Sequence, residues 1–386
     1  MSALLMSCSS DDHSDETSAE GLFITFSVNG ASYGTGVSTR ATRTEAGWDN
    51  WNENKINCLD LFIFNSNGDI KYHCSATESS DLTGTWQPRY NGTALSASSV
   101  SSTDQIYLVA NYNFSSADVT TLDDLKDLSF TMSNSCREKQ TSFVMDGSVS
   151  GDDTNITTES DEYGNINKKT IKINLSRALA KMCIRVRYTP LNISTAEQVT
   201  DFSDMNISMR LMQYSNQSAL IAGGTYMPTD DGTNNNGIAN GITSEDDGIY
   251  DSGTILTYPT ESDTSTDGLG LRAVFYFCAN EWYDETVSMN ESEPIVEDLQ
   301  TYVYLRLLQN FNYYYYKVPV NYLLPQDNDA VSPDDASSYY KIDRNTAYYV
   351  VLNIQEQEGG FKITISDEAG TAISDLEDGG NINYEY

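Results

Sequence analysis

Histidine is almost absent: the 386 residues contain only His13 and His73. Any Ser-His-Asp or Cys-His machinery would have to be built around His73 alone, because His13 lies in an acidic polar stretch. His73 is therefore read as an ordinary strand histidine, and an enzyme is not expected. Basic residues are scarce too, 22 Lys and Arg against 56 Asp and Glu, for a net charge of −34. That balance excludes nucleic acid and an anionic membrane surface as partners, since both need clustered cations. After Cys8 no apolar run reaches 18 residues, so no helical span of a bilayer is expected. No glycine-rich phosphate loop follows a strand. The acidic runs Asp230-Asp231-Gly232 and Glu245-Asp246-Asp247-Gly248 lack the spacing of an EF-hand loop. No pair among the many carboxylates is marked by spacing or by an apolar setting. Neither metal nor cofactor is expected.

Cysteine is sparse and badly spaced for a framework. Beyond Cys8 the chain has Cys58, Cys74, Cys136, Cys183 and Cys278, an odd number at wide intervals that matches neither paired disulfides nor a zinc pattern. Most read as buried small hydrophobes. The one pair that a turn could bring together is Cys58 with Cys74.

What the chain does have begins at its N-terminus. Leu4-Leu5-Met6-Ser7-Cys8 is a short apolar stretch, a small residue and a cysteine, the ending of a bacterial lipoprotein signal, and makes Cys8 the candidate lipidation site. Only seven residues precede Cys8, which implies a truncated or misassigned start. Five acids follow among Ser9 to Glu20, with no apolar side chain larger than Ala, so residues 1–20 read as the remnant of a signal and a solvated tether.

The body reads as β-structure. Asn57 to Phe64 is nearly continuously apolar, Asn65-Ser66-Asn67-Gly68 supplies a turn, and Ile70, Tyr72 and Cys74 alternate with polar residues, which together describe a hairpin. Further strands are expected at Gln105 to Asn111, Lys169 to Leu175, Met182 to Tyr188, Met205 to Tyr214, Leu271 to Cys278, Thr301 to Leu308, Tyr313 to Val320, Ala347 to Ile354 and Phe361 to Ile365. One helix is expected at Thr121 to Leu128, capped by Thr120, with Leu122, Leu125 and Leu128 along one stripe. Length suggests two domains. The boundary is placed near Ser176 to Ala180, giving domains at 21–177 and 178–386, and the Gly, Asn, Asp and Ser-rich stretch 225–268 is read as a long loop insertion in the second.

The order of certain pieces is more specific than any one of them. A lipoprotein cysteine and acidic tether lead into an alternating strand and an arginine-bearing loop. Then come Lys55-Ile56-Asn57-Cys58-Leu59-Asp60-Leu61-Phe62-Ile63-Phe64, the strand Ile106 to Asn111, the leucine-striped helix, Leu175-Ser176-Arg177-Ala178-Leu179-Ala180-Lys181, and Ile342-Asp343-Arg344-Asn345-Thr346-Ala347-Tyr348-Tyr349-Val350. The chain so ordered resembles the fimbrillins, subunits of the type V pili of Bacteroidales. The resemblance implies an all-β fold of two tandem β-sandwiches of transthyretin-like or Ig-like type. It also implies polymerisation by strand exchange, in which a protease removes an N-terminal strand and the vacated groove accepts a strand from another subunit. The acidic run after Cys8 resembles an export tag for the outer face of the outer membrane. The implied partners are other fimbrial subunits, the outer membrane through lipid on Cys8, a maturation protease, and a host or bacterial surface ligand.

The residues suit those roles. Leu22, Ile24, Phe26 and Val28 alternate with Phe23, Thr25, Ser27 and Asn29, so this segment can fill a groove as one removable strand. Gly30 to Thr44 is rich in Gly, Ser and Thr and displays Arg40 and Arg43, which suits cleavage by a protease of trypsin-like preference. At the C-terminus Ile382, Tyr384 and Tyr386 alternate with polar residues and then the chain stops, where polymerising fimbrillins continue into a donor strand. The record is then truncated, or the chain is an anchor, accessory or tip subunit. The rival reading is a glycan-binding surface lipoprotein that does not polymerise, supported by 26 Tyr and 4 Trp and by the run Tyr313-Tyr314-Tyr315-Tyr316.

Overall fold

A computed structural model describes residues 20–28, 32–33, 54–78, 81–115, 119–132, 143–189, 191, 207–226, 242–243, 271–281, 300–320, 341–366 and 372–376. The principal elements are β1 (Gly21–Val28), β2 (Leu59–Phe64), β3 (Ile70–Ala76), β4 (Thr85–Trp86), β5 (Gln105–Ala110), α1 (Leu122–Asp127), β6 (Met145–Ser150), β7 (Ile156–Ser160) and β8 (Ile166–Arg177). They continue with β9 (Leu179–Thr189), β10 (Ile207–Met212), β11 (Leu271–Cys278), β12 (Tyr302–Gln309), β13 (Asn312–Pro319), β14 (Thr346–Gln357), β15 (Gly360–Ser366) and β16 (Ala372–Leu376). Among the described residues the fold is all-β with one short α-helix.

Two hydrophobic cores divide these elements. In the first, strands run in the order β3-β2-β5-β6-β8-β1-β4, with β7 also on β8. The sheet turns over itself along β8, whose residues from Lys168 to Leu175 pair with β1 while Ser176 and Arg177 pair with β6. Leu59, Leu61, Leu108, Ile171 and Ile173 meet in the core so enclosed. All six side chains of β2 are buried, which explains why its sequence Leu-Asp-Leu-Phe-Ile-Phe has almost no alternation. Gly147 lies where β6 approaches β8, and a Cβ there would meet Asn174 O at 2.4 Å, so no larger residue fits.

The second core lies between the sheet β11-β9-β14-β15-β16 and the three-stranded sheet β10-β12-β13. Alternation is complete in β12, where Val303, Leu305 and Leu307 are buried and Tyr302, Tyr304, Arg306 and Leu308 are half-buried on the other face. Tyr316 Oη donates to Phe361 O at 3.1 Å and Tyr314 Oη to Gly359 O at 3.1 Å, so tyrosine hydroxyls tie the two layers together. The four-tyrosine run thus splits: Tyr314 and Tyr316 face the opposing sheet, Tyr313 and Tyr315 the outside.

The cores meet end to end at Ala178, between β8 and β9. Tyr276 and Cys278 of β11 and Leu220 and Ile221 pack into the first core, whereas Phe275 and Phe277 of the same strand pack into the second. A polar knot lies at this seam. Arg344 donates through Nη2 to Asp146 Oδ1 at 2.6 Å and through Nη1 to Ala219 O at 2.6 Å, and Asp146 Oδ2 accepts Ala222 N at 2.8 Å. Beside it Arg177 Nη1 donates to Asn345 Oδ1 at 2.9 Å, and Asn345 N to Leu179 O at 3.1 Å. The two motifs Ser176-Arg177-Ala178 and Arg344-Asn345 are therefore one contact.

Several expectations shift in detail. The helix is capped by Thr121 rather than Thr120, because the hydroxyl of Thr121 accepts Asp124 N while the Asp124 carboxylate takes the Thr121 amide in return. Cys58 and Cys74 are both free thiols. Leu59 stands opposite Ala76, so Cys58 lies beyond the paired part of the hairpin and cannot face Cys74. The expected hairpin turn holds, with Gly68 at φ +86° and its amide donating to Asn65 O at 3.0 Å. Cys8, Cys136, Arg40, Arg43, Ile382, Tyr384, Tyr386 and most of 225–268 lie outside the described residues. Among the described residues no helix is long and apolar enough to cross a membrane.

Candidate functional site

The site is the slot that β1 fills. Leu22 and Ile24 are fully buried, Phe26 nearly so, and Val28 packs partly on the same core. These are the inward residues of one alternating strand, while Phe23, Thr25 and Ser27 lie on the other face. On one side β1 runs parallel to β8 through eight consecutive pairs, from Gly21 opposite Lys168 to Val28 opposite Leu175. On the other side it is held more sparsely, by two pairs with β4, including Ile24 opposite Trp86. Two further bonds hold that side, Leu22 N to Leu95 O at 2.8 Å and Phe26 N to Gly84 O at 3.0 Å. Gly21 opens the strand at φ +123°, and a Cβ there would meet Leu95 O at 2.9 Å.

Few side-chain bonds reinforce the ladder. Ser27 Oγ donates to Asn174 Oδ1 at 2.8 Å and Thr25 Oγ1 to Ile171 O at 3.4 Å. The strand is thus fixed mainly by backbone pairing and by apolar side chains in alternate positions, interactions that any extended segment of the same pattern could make. Its neighbours come from far down the chain, so β1 forms no hairpin with either. Further along, Ser32 and Tyr33 pair in parallel with Thr346 and Ala347 at the start of β14. One N-terminal segment therefore borders both cores. Trp86, which closes the slot opposite Ile24, was missed in the sequence because β4 is too short to carry a periodic signal.

His73 has the neighbours of a triad without its geometry. Asp60 Oδ1 accepts both Ser75 Oγ at 2.6 Å and His73 Nε2 at 2.8 Å, while Ser75 Oγ is 3.5 Å from His73 Nε2. The serine proton is directed to the carboxylate, and no imidazole stands between serine and aspartate to act as base. The ring is stacked on Phe62 at 4.4 Å and serves the packing of the β2–β3 hairpin. Burial pushes the Cys74 thiol up to about 12, which leaves no thiolate at neutral pH.

On the outside of the three-stranded sheet Tyr304 and Tyr315 stack with centroids 5.3 Å apart, and the Arg306 guanidinium lies 4.8 Å from the Tyr313 ring centre. These rings largely cover one another. Only Tyr313 among them offers a large exposed area, at 42%.

Comparison with known proteins reaches the first core by family model and most of the chain by fold. Residues 23–177 match the model of the family described as major fimbrial subunit protein (FimA). No curated protein sequence matches the chain. Among solved structures, a proposed cell adhesion protein of Parabacteroides distasonis aligns with a TM-score of 0.50 at 15% identity, over 89% of this chain and 90% of that one. A proposed cell adhesion protein of Bacteroides eggerthii aligns at 0.48 and 12% identity, over 92% and 95%. The tip fimbrial protein Mfa3 of Porphyromonas gingivalis, with C-terminal truncation, aligns at 0.45 and 13%, over 89% and 99%. At such identity the first of these likenesses is one of fold. The family match, residues 23–177, covers the core that β1 closes.

Proposed function

We propose that the protein is a subunit of a surface fimbria, with two tandem domains divided near Ala178, assembled by exchange of the strand β1. It is exported as a lipoprotein through Cys8 to the outer membrane. Cleavage after Arg43, or Arg40, then releases the segment that contains β1, and the vacated slot receives an extended strand from another subunit. The observation that carries this reading is β1 itself: a terminal strand, parallel to its main neighbour, joined to neither neighbour by a hairpin, and burying Leu22, Ile24 and Phe26 in the first core. Its loss would leave the β1-facing edge of β8 unpaired along eight residues, Lys168 to Leu175, and an apolar trough beneath it. No chemistry is needed from the subunit, and its role in adhesion is structural or that of an accessory or tip component.

The experiment is N-terminal sequencing of the mature surface protein together with fatty-acid labelling of the precursor. A mature chain that begins at Ala41 or Thr44, from a precursor whose label disappears in Cys8→Ala, supports the reading. A mature chain that still begins at Cys8 overturns the cleavage and makes the protein an anchor or a lipoprotein outside the filament.

A second reading, a glycan-binding lipoprotein, draws on the outer tyrosines of β12 and β13. Loss of glycan binding in Tyr313→Ala, with filament assembly intact, would favour it.

A further inference from the structure

The slot that β1 fills is not equally demanding along its length. Leu22 and Ile24 have no exposed surface, Phe26 retains 8%, and Val28 packs only partly against the core. At the far end Phe26 N donates to Gly84 O at 3.0 Å, and a Cβ on Gly84 would stand 3.7 Å from Phe26 O, an ordinary contact. Ser27 is exposed there. The end at which β1 enters is tighter, and its tightest position is not an apolar anchor but the residue before the first one.

Gly21 is buried and has φ +123°, a backbone conformation that L residues rarely adopt. Space is refused as well: a Cβ there would lie 2.9 Å from Leu95 O and 2.8 Å from Gln87 Nε2. Neither neighbour is free to withdraw. Leu95 O accepts Leu22 N at 2.8 Å, Leu95 N donates to Pro88 O at 2.9 Å, and the Leu95 side chain is buried in the first core, so that carbonyl is fixed by its own backbone. Gln87 Nε2 donates to Glu20 O at 3.0 Å, which ties the chain one residue upstream. On the other flank Lys168 is paired with Gly21 and Lys169 with Leu22, and Lys169 Nζ donates to Val100 O at 2.6 Å.

A strand that replaces β1 in the same register meets these walls in the same places. Its alternate apolar residues have some latitude, because packing tolerates hydrophobic swaps of similar volume. The residue before the first of them has none. A chain that continues upstream of that first anchor must pass between Leu95 O and Lys168, and what refuses a side chain there is backbone conformation and a backbone oxygen, which repacking of side chains cannot relieve. Register depends on the same residue. Alternation forbids a slip of one, which would turn the apolar face outward, but not a slip of two. A slip of two would set Ala19 or Phe23 in the place of Gly21, and that place accepts neither.

We propose that the slot selects its incoming strand by a glycine immediately before the first of its alternate apolar residues. The partner segment then carries Gly followed by apolar residues at the first, third and fifth positions after it. This rests on the strand-exchange reading and names the chemistry of the strand to which β1 gives way. The apolar residues supply the affinity, and the glycine sets the register in which they are buried.

The test uses the full chain nicked within residues 34–53, which frees the resident strand to exchange without removing any residue. It is held in moderate urea with an excess of a synthetic peptide of the sequence Glu20–Tyr33, returned to buffer, and the bound peptide is counted by native mass spectrometry. The unaltered peptide should enter the slot. A Gly21→Ala peptide should bind about tenfold more weakly or worse, the scale of holding one L residue at positive φ. A Ser27→Ala peptide, altered at an exposed position, should bind within about twofold of the unaltered one. Equal binding of the unaltered and Gly21→Ala peptides overturns the glycine requirement while strand exchange stands. A loss just as large in Ser27→Ala overturns it too, since the slot would then read the strand as a whole. No uptake of the unaltered peptide at any excess overturns strand exchange, and the glycine requirement with it.

Discussion

The two cores are closed in opposite ways. The second has a distant parallel pair at its centre, β9 with β14, but is closed at its margins by strands that follow one another in the chain: β12 turns into β13 and β14 into β15, each an antiparallel hairpin. The first is closed by β1, parallel to a strand far from it in sequence and bound to the rest by no turn. Local pairing regenerates itself whenever the chain is intact, because the loop entropy is small, whereas a distant parallel strand can leave without dismantling its neighbours. The first core is therefore complete only with a segment that another chain could supply, whereas the second meets that N-terminal segment only at Ser32 and Tyr33, beside the start of β14.

Removing β1 should break this contrast most severely. After cleavage between residues 34 and 53 and separation of the released segment, the first core should lose on the order of 5 kcal/mol, the worth of burying Leu22, Ile24 and Phe26. Hydrogen exchange should speed up in β8 and remain slow in β14. An added peptide bearing Leu22 to Val28 should restore protection in proportion to its excess over its dissociation constant. Equal loss of protection in both strands would mean that the cores are not closed independently.

Ile24→Asp sharpens the same point with one residue. It places an unpaired charge opposite Trp86 in a fully buried position and should cost about 4 kcal/mol in the uncut chain. In the subunit freed of β1 it should cost nothing, so the difference in urea midpoint between the two forms reads out the strand alone.

The seam is next. Arg344→Met would leave Asp146 buried without its cation and should cost about 3 kcal/mol at neutral pH. Burial already pushes the Asp146 carboxyl above its usual range, with Arg344 opposing the shift. Without the arginine the folded-state pKa rises further, so the folded form gains protons as pH falls and the deficit should narrow on acidification. Asp146→Asn in the same chain should recover part of the loss at neutral pH. A deficit that does not vary with pH would show that the pair matters by packing only.

Much of this was legible where burial and local pairing coincide. The run Leu59 to Phe64, the turn at Gly68 and the alternation of Tyr302 to Gln309 each carry their structure within a few residues. β6 and β7 escaped because Met-Asp-Gly-Ser-Val-Ser and Ile-Thr-Thr-Glu-Ser are mostly polar, and each has a largely exposed end or face. β1 was readable as a strand and as an apolar face, but its partners β8 and β4 were not, since nothing within a strand names a parallel neighbour far along the chain. The Arg344-Asn345 motif stood out in the sequence without a reason, because Asp146 is one acid among 56. The turn Asn310-Phe311 between β12 and β13 carried no signal at all, because it lacks the glycine that normally announces a two-residue turn.

The smallest expected effect lies at α1, a local element of the first core that makes no strand pairing with β1, and it tests whether that core keeps local structure when β1 is gone. Thr121 caps the helix and Asp124 accepts the amides of Thr120 and Thr121 at 2.9 and 2.8 Å, together with the Thr120 hydroxyl at 2.7 Å. These bonds favour the carboxylate and hold the Asp124 pKa down to about 2. A depressed folded-state value means that the contribution is complete above the ordinary aspartate range and is lost as pH falls toward 2. Thr121→Ala should cost about 1 kcal/mol. The Asp124 carboxyl, followed by NMR, should titrate about two pH units below a free aspartate in the intact chain, and at the same pH after β1 is removed. A return to the free value on removal of β1 would mean that α1 depends on the exchanged strand after all, and that the first core is not a local scaffold with one replaceable member but a structure formed only around its strand.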